Sequence, residues 1–376
     1  MSLNKNNDEE KTKSRIVNLD FLRGFFIILA MDQHFTYYIN MWYVEYFRDA
    51  MALTSTYKIH FPMIGHQVPT DSANMLLDWI FTPWVSQVYL TLAAFNLAKY
   101  TQSVLKDTLS SKIKLYVLIF LFFVMENFIV APNLGQAISF YPIMLWMFVL
   151  SILGIAFSLT GIWGIIVLTV LSFFRFLLPV EMLSDLFQEM IKANIHPGFE
   201  YDARLEYFFT SGCLGFLMGW VHYHKPLLKN VKDYYFAFAG LVMIAFYVAW
   251  GDPYFQDPAN VFLHEHDLAR TFSGTLYILG VQTVLISVFL WLEKRSIKLN
   301  VPIVNWVGKH SILIFAFHRV FFVRILAPLS VMAGALMGRT LGASIWEIYL
   351  YVGITTAVCY FIKKTRMGEL ILQIKG

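Results

Sequence analysis

The chain has 376 residues, of which 58% are hydrophobic and 17% aromatic, and only 14% are charged. Soluble globular domains have roughly a quarter of their residues charged, and the mean hydropathy here is +0.58. This composition excludes a soluble globular enzyme and predicts a protein that crosses a membrane several times. The net charge of +4 implies no nucleic-acid partner, because cytoplasmic loops of membrane proteins are basic.

Apolar runs of about twenty residues predict the membrane spans. We expect an all-α, polytopic helical bundle of about ten transmembrane helices. The fourth and fifth runs almost touch at Gly161, which predicts a tight helical hairpin. The predicted spans lie near residues 16–40, 75–98, 115–131, 137–159, 161–180, 204–222, 234–250, 271–292, 302–326 and 341–362.

The domain division follows from these spans. A polar cytoplasmic N-terminus (1–15) precedes the membrane domain (16–362), and a cytoplasmic tail (363–376) follows it. The polar start is not followed by a short apolar segment with a cleavage site, so we expect no cleaved signal peptide.

The distribution of Lys and Arg predicts the orientation of the spans. Basic residues concentrate in alternate flanks, and the opposite flanks carry few. This alternation fits an even number of spans and predicts that both termini are cytoplasmic. It also predicts that segments 41–74, 181–203 and 251–270 lie outside the cytoplasm. The basic flanks are 5–15, 99–114, 225–232, 294–298 and 363–375.

The first predicted span carries four ionisable residues, which are costly in a membrane and usually functional. Asp20 and Arg23 are three residues apart and are expected to form an ion pair. Arg23 and His34 are eleven residues apart, so they share a helix face at a separation of about 16 Å. Asp32 is two residues from His34 and points elsewhere, which makes it a poor partner for the imidazole.

Two further residues are expected at the depth of His34. His318 lies in the outer half of the ninth span, and we interpret it as lining the same cavity, where it stabilises an oxyanion or takes part in proton transfer. An interhelical hydrogen bond is the structural alternative. Asp78 enters the second span from the outer side and is the candidate to orient the His34 ring.

Other charged residues in the spans have two interpretations each. Lys309 and His310, at the cytoplasmic end of the ninth span, either bind phosphates together with Arg23 or extend to lipid headgroups. Glu126 lies within the third span and needs a partner. Arg175 in the fifth span is one candidate partner, and we expect such a pair to be structural.

Three stretches resemble the transmembrane acyltransferase clan, which includes the acyltransferase-3, heparan-α-glucosaminide N-acetyltransferase-like and glucan succinyltransferase-like families. The first is Arg15-x3-Leu19-Asp20-x-Leu22-Arg23-Gly24, followed by His34. The others are LDWIFTPW at 77–84 and GKHSILIFAFH at 308–318. At the level of spans the resemblance covers the whole chain, but only these stretches carry motifs.

The resemblance implies acyl transfer from a cytoplasmic acyl-CoA, typically acetyl-CoA, to a hydroxyl or amine of a glycan or glycolipid across a bacterial cytoplasmic (inner) membrane. The acyl-CoA is a co-substrate, and the other partner is the lipid bilayer. No metal is expected, because the His-Glu-His-Asp loop at 264–267 has no third ligand at a defined geometry. The sequence leaves a homo-oligomer open.

The roles that the resemblance implies follow the helix geometry. Arg23 binds donor phosphates, and His34 acts as general base on the acceptor near neutral pH. The separation along the first helix matches the reach of a pantetheine arm. The implied catalytic residues are His34, Asp78 and His318, and the implied donor-binding residues are Asp20, Arg23, Lys309 and His310.

A transporter or flippase is the alternative function. It would use the same buried charges for proton-coupled movement of a polar solute. Such proteins often contain a matched pair of spans interrupted by Gly or Pro, and the sequence has no evident pair of this kind. A sensor that has lost its chemistry is a weaker alternative, because His34 is retained.

Overall fold

The computed structural model describes residues 16–52, 87–130, 142–174, 176, 205–224, 233–251, 271–336, 345–366 and 368. These residues are almost entirely helical, and no strand occurs within the described ranges. The predicted all-α class is therefore confirmed.

The helices are numbered in chain order. They are α1 (Val17–Ala52), α2 (87–97), α3 (Gln102–Val130), α4 (Pro142–Thr160), α5 (Ile162–Phe174), α6 (Leu205–His224), α7 (Asp233–Trp250), α8 (Phe272–Lys294), α9 (Pro302–Lys309), α10 (Ser311–Phe321), α11 (Ala327–Leu336) and α12 (Ile345–Ile362). A π-helical turn, Phe322–Leu326, joins α10 to α11.

Every predicted span contains a helix, but the bounds differ at three places. Helix α1 continues to Ala52 instead of ending near residue 40, and its 36 residues extend over about 54 Å. Helix α3 begins at Gln102, so Lys106, Lys112 and Lys114 of the predicted basic flank lie on its first turns. The ninth predicted span is interrupted at His310 and continues through the π-helical turn to Leu336.

Among the residues that the structure describes, three helical stretches are long and apolar enough to cross a membrane, namely 102–129, 272–294 and 311–334. Shorter apolar helices occur in α4, α5, α7 and α12. The second half of α3 exposes apolar side chains, including Met125 at 66% of its surface. An apolar outer surface of this kind fits contact with lipid rather than water.

Gly161 separates α4 from α5 and has φ +65°, which only glycine adopts without strain. Its N–H donates to the carbonyl of Phe157 at 2.8 Å, and the next helix begins at Ile162. The two helices pack against each other. The tight connection predicted from the sequence is thus confirmed.

Helix α1 lies at the centre of the bundle and packs against α8, α9, α10, α11 and α12. Its contact with α9 is made by glycines. A Cβ atom on Gly24 would overlap the Val304 carbonyl, and one on Gly308 would overlap the Asp20 carbonyl. Small residues allow helix backbones to approach this closely in membrane proteins.

Asn18 connects the start of α1 to the end of α8 through hydrogen bonds. Its side-chain amide donates to the Ile297 carbonyl at 2.8 Å and to the Phe289 carbonyl at 3.4 Å, and its Oδ1 accepts from the Leu299 N–H at 2.8 Å. The Asn18 N–H donates to Glu293 Oε2 at 3.1 Å. Two helix ends that are predicted to be cytoplasmic therefore lie side by side.

A second contact joins two other helix ends that are also predicted to be cytoplasmic. The His224 ring lies 2.8 Å from the Ala98 carbonyl, which connects the end of α6 to the end of α2. Phe95 and Tyr223 pack edge to face at 5.5 Å in the same region.

Candidate functional site around a histidine pair

His34 on α1 and His318 on α10 form a hydrogen-bonded pair. His34 Nδ1 lies 3.0 Å from His318 Nε2, and the two rings are nearly parallel, with centroids 5.3 Å apart. His318 is buried, whereas His34 is partly exposed. The structure thus brings together two histidines that are 284 positions apart in the chain.

The hydrogen bonds of His318 fix which nitrogens carry protons in a neutral pair. His318 Nδ1 lies 2.9 Å from the Ile314 carbonyl and 3.0 Å from the Phe315 carbonyl. Because a carbonyl only accepts, the proton is on Nδ1 and the lone pair is on His318 Nε2. His34 Nδ1 must then carry a proton and donate it to that lone pair. The other ring nitrogen of His34, Nε2, therefore carries a lone pair and no proton.

In this tautomer His34 Nε2 carries a lone pair and can accept a hydrogen bond or a proton. Its companion nitrogen is held by His318, and His318 is held by the backbone of its own helix. A histidine whose tautomer and ring orientation are fixed in this way has the arrangement of a general base with an orienting partner.

A buried ion pair follows directly after His318. Arg319 Nη1 lies 3.5 Å from Glu126 Oε2 on α3, and the two side chains are 7% and 1% exposed. Arg319 Nη1 also donates to Asn127 Oδ1 at 3.4 Å. Glu126 is therefore paired with Arg319, whereas Arg175, the partner suggested from the sequence, lies outside the described residues.

The predicted ion pair between Asp20 and Arg23 lies near the start of α1, and the structure confirms it. Arg23 Nη1 lies 3.2 Å from Asp20 Oδ1 and 3.5 Å from the Gly308 carbonyl. Lys309, which follows Gly308 in the chain, is exposed. From Arg23 to His34 the distance along α1 is about 16 Å.

His310 differs from Lys309 in its surroundings. It is buried at the break between α9 and α10, where its ring stacks on Trp306 at 4.7 Å and its Nδ1 lies 2.8 Å from the Trp306 carbonyl. This packing gives His310 a structural role at the break, and Lys309 is the more accessible of the two predicted donor-binding residues.

The two carboxylates considered beside His34 are placed differently. Asp78 lies outside the described residues, so its predicted role stays a prediction. Asp32 is buried on α1, and its direction relative to His34 stays a prediction. Within the described part of the chain, His318 forms a hydrogen bond that orients the His34 ring.

Sequence reasoning missed a polar network between α2, α6 and α8. The Thr91 hydroxyl donates to Gln282 Oε1 at 2.6 Å, and Gln282 Nε2 donates to Ser211 Oγ at 3.2 Å. The Ser211 hydroxyl donates in turn to Gln87 Oε1 at 2.5 Å. Isolated neutral residues in apolar runs give only a weak sequence signal, but their depth in the bundle marks them as interhelical contacts.

No family model, no curated protein and no solved structure matches the chain. In the described ranges, no three His, Cys, Asp or Glu side chains come together as a group that could hold a metal ion. The histidine pair and the Asp20–Arg23 pair are the features of the described residues from which we infer a function.

Proposed function

We propose that the protein is a multi-pass acyltransferase of a bacterial cytoplasmic membrane, with both termini cytoplasmic. It transfers an acyl group, acetyl in the simplest case, from a cytoplasmic acyl-CoA to an acceptor that binds toward the outer face. The observation that carries the proposal is the directed hydrogen-bond chain that ends in the lone pair of His34 Nε2.

In the proposed reaction His34 Nε2 removes the proton of the acceptor while the acceptor oxygen or nitrogen attacks the thioester carbonyl carbon. The new C–O or C–N bond forms, the C–S bond breaks, and the proton passes from His34 to the departing CoA thiolate. His318 accepts the hydrogen bond of His34 Nδ1 throughout and stabilises the transient imidazolium. Both substrates are bound together, so no covalent enzyme intermediate is required.

The donor side is the Asp20–Arg23 end of α1. Arg23 is held by Asp20 and by the Gly308 carbonyl, and its planar guanidinium suits phosphate. Lys309 adds a second, exposed cation. The separation of about 16 Å from Arg23 to His34 allows the phosphates and the thioester of one CoA to reach both ends.

The experiment uses the purified protein in nanodiscs. Calorimetry measures acetyl-CoA binding, and thiol release measures the consumption of acetyl-CoA with methyl glucoside or glucosamine supplied as the acceptor. Arg23→Gln should weaken binding by about tenfold or more, since it removes a charge-assisted contact. His34→Gln should bind acetyl-CoA normally and lose thiol release. His224→Gln, a histidine change at the end of α6, is the control and should keep both properties.

Two results would disprove the proposed acyltransferase function. One is a wild-type protein that binds no acyl-CoA. The other is a His34→Gln variant that releases thiol as fast as the wild type. A stable acyl adduct on His34 would instead change the mechanism to a two-step transfer through the enzyme.

A proton-coupled transporter is the second candidate, and a specific observation favours it. The predicted ninth span is broken at His310 and carries the buried Arg319–Glu126 pair, and both features are common in transporters. Uptake of a polar solute into proteoliposomes that depends on Glu126, without binding of acyl-CoA, would favour this function.

A further inference from the structure

The ring of Phe315 is surrounded by three polar rings, and we call these four residues the Phe315 cluster. Tyr89 of α2 meets Phe315 edge to face at 5.2 Å, and Trp146 of α4 does so at 6.2 Å. His318 meets it at 5.8 Å. Tyr89 and Trp146 also contact each other at 5.7 Å, so helices α2, α4 and α10 converge next to the histidine pair.

Two polar atoms of the cluster have no hydrogen-bond partner within the described part of the chain. They are the hydroxyl of Tyr89 and the indole Nε1 of Trp146, and each side chain belongs to a residue that is only 7% exposed. A buried donor without a partner is costly, and buried Tyr and Trp usually have one. Such a pair of atoms next to a candidate general base suggests that the partner is a ligand.

We propose that Tyr89 and Trp146 bind oxygen atoms of the acyl acceptor and position it next to His34, an inference that rests on the proposed function. The indole N–H only donates, so the atom it meets must carry a lone pair. A hydroxyl or carbonyl oxygen has one, and a protonated amine has none. The tyrosine hydroxyl donates or accepts, which suits a sugar hydroxyl.

The polar atoms of Tyr89 and Trp146 restrict the class of acceptor. The histidine pair alone is compatible with either a hydroxyl or an amine as the acceptor. The Phe315 cluster favours a neutral acceptor with several hydroxyl groups. One hydroxyl or neutral amine reacts at His34, and neighbouring oxygens meet Tyr89 and Trp146.

The test measures the thermal unfolding midpoint of the full protein in detergent against increasing concentrations of neutral methyl glycosides. The probes are methyl glucoside, methyl galactoside and methyl N-acetylglucosaminide, up to about 0.5 M. A ligand that binds only the folded state raises the midpoint in a saturable way. Tyr89→Phe removes one oxygen and should need about tenfold more glycoside for the same rise.

Tyr351→Phe is the matched control. The Tyr351 hydroxyl donates to Glu347 at 2.8 Å, so its loss should lower the midpoint of the ligand-free protein without changing the response to the glycoside. Tyr89→Phe should leave the ligand-free midpoint unchanged or higher, because it removes a buried hydroxyl that lacks a partner. Trp146→Phe, which creates a cavity, should weaken the response in the same way as Tyr89→Phe.

Three results would overturn the inference. The first is the absence of a saturable rise with any of the glycosides, and the second is an equal rise in Tyr89→Phe and the wild type. The third is a fall in the ligand-free midpoint of Tyr89→Phe as large as that of Tyr351→Phe, since the hydroxyl would then be structural.

The experimental results would differ if the proposed acyltransferase function, rather than this inference, were wrong. A saturable, Tyr89-dependent response without binding of acetyl-CoA would disprove the acyltransferase and keep the hydroxyl site. Normal acetyl-CoA binding and His34-dependent thiol release without a glycoside response would overturn this inference alone.

Discussion

The contact between α1 and α9 yields a sharp prediction for Gly308→Ala. A Cβ atom at Gly308 would overlap the Asp20 carbonyl and lie 2.8 Å from the Gly24 nitrogen, whereas ordinary contact begins at 3.4 Å. The obstructing atoms are backbone, so they cannot rotate away. The two helices must therefore separate, which moves the Gly308 carbonyl away from Arg23.

The expected cost is that of overpacking a close interface, about 1–3 kcal/mol of the free energy of unfolding. For a chain of 376 residues, the usual entropy of unfolding per residue makes this a fall of roughly 1–2 °C in the unfolding midpoint for each kcal/mol. The assay is thermal unfolding in detergent, and acetyl-CoA binding is measured on the same preparation. Binding should weaken together with stability, since Arg23 loses one of its anchors.

Gly353→Ala on α12 is the matched control, because nothing lies within 4 Å of a Cβ atom at that position. Alanine in an open helical position removes the entropic cost of glycine, so this variant should be as stable as the wild type or more stable. If Gly308→Ala were as stable as Gly353→Ala, α1 and α9 would not be in close contact, and the arrangement around Asp20 and Arg23 would be wrong.

Three further predictions concern other parts of the bundle. Asn18→Ala removes an amide with three hydrogen bonds and should lower the free energy of unfolding in detergent by about 2–3 kcal/mol. Arg319→Leu leaves Glu126 buried without its cation and should cost about 3–5 kcal/mol, and the double variant with Glu126→Leu should recover much of this loss. Burial raises the pKa of Tyr100, but the hydrogen bonds and charges of Lys112 and Lys99 together outweigh burial and hold that pKa below its ordinary value. These contacts therefore add stability at alkaline pH, which is lost as the pH falls through the lowered pKa. An absorbance titration should show one early tyrosine that disappears in Lys112→Gln.

The parts of the fold that depend on local sequence could be predicted. The Asp20–Arg23 pair follows from a spacing of three on one helix, and its observed distance of 3.2 Å confirms it. The connection at Gly161 follows from two apolar runs that almost touch. In both cases the interacting residues are close in the chain, so the geometry of one helix or turn decides the result.

The parts that depend on helix rotation could not be predicted. Glu126 pairs with Arg319 because α3 and α10 pack together with particular faces inward, and no periodicity within either helix specifies that. For the same reason the hydrogen bond from His34 to His318 was one of several interpretations. The break at His310 has no proline at the interruption itself, and His310 is held there by stacking on Trp306.

The most direct test of the account is a structure of the protein with a non-transferable thioether analogue of acetyl-CoA. The acyl carbon should lie next to His34 Nε2, with room for an acceptor atom about 3–3.5 Å from it. The phosphates should lie at Arg23 and Lys309. An analogue bound elsewhere, or bound with its phosphates at the histidine pair, would disprove the proposed acyl-transfer site.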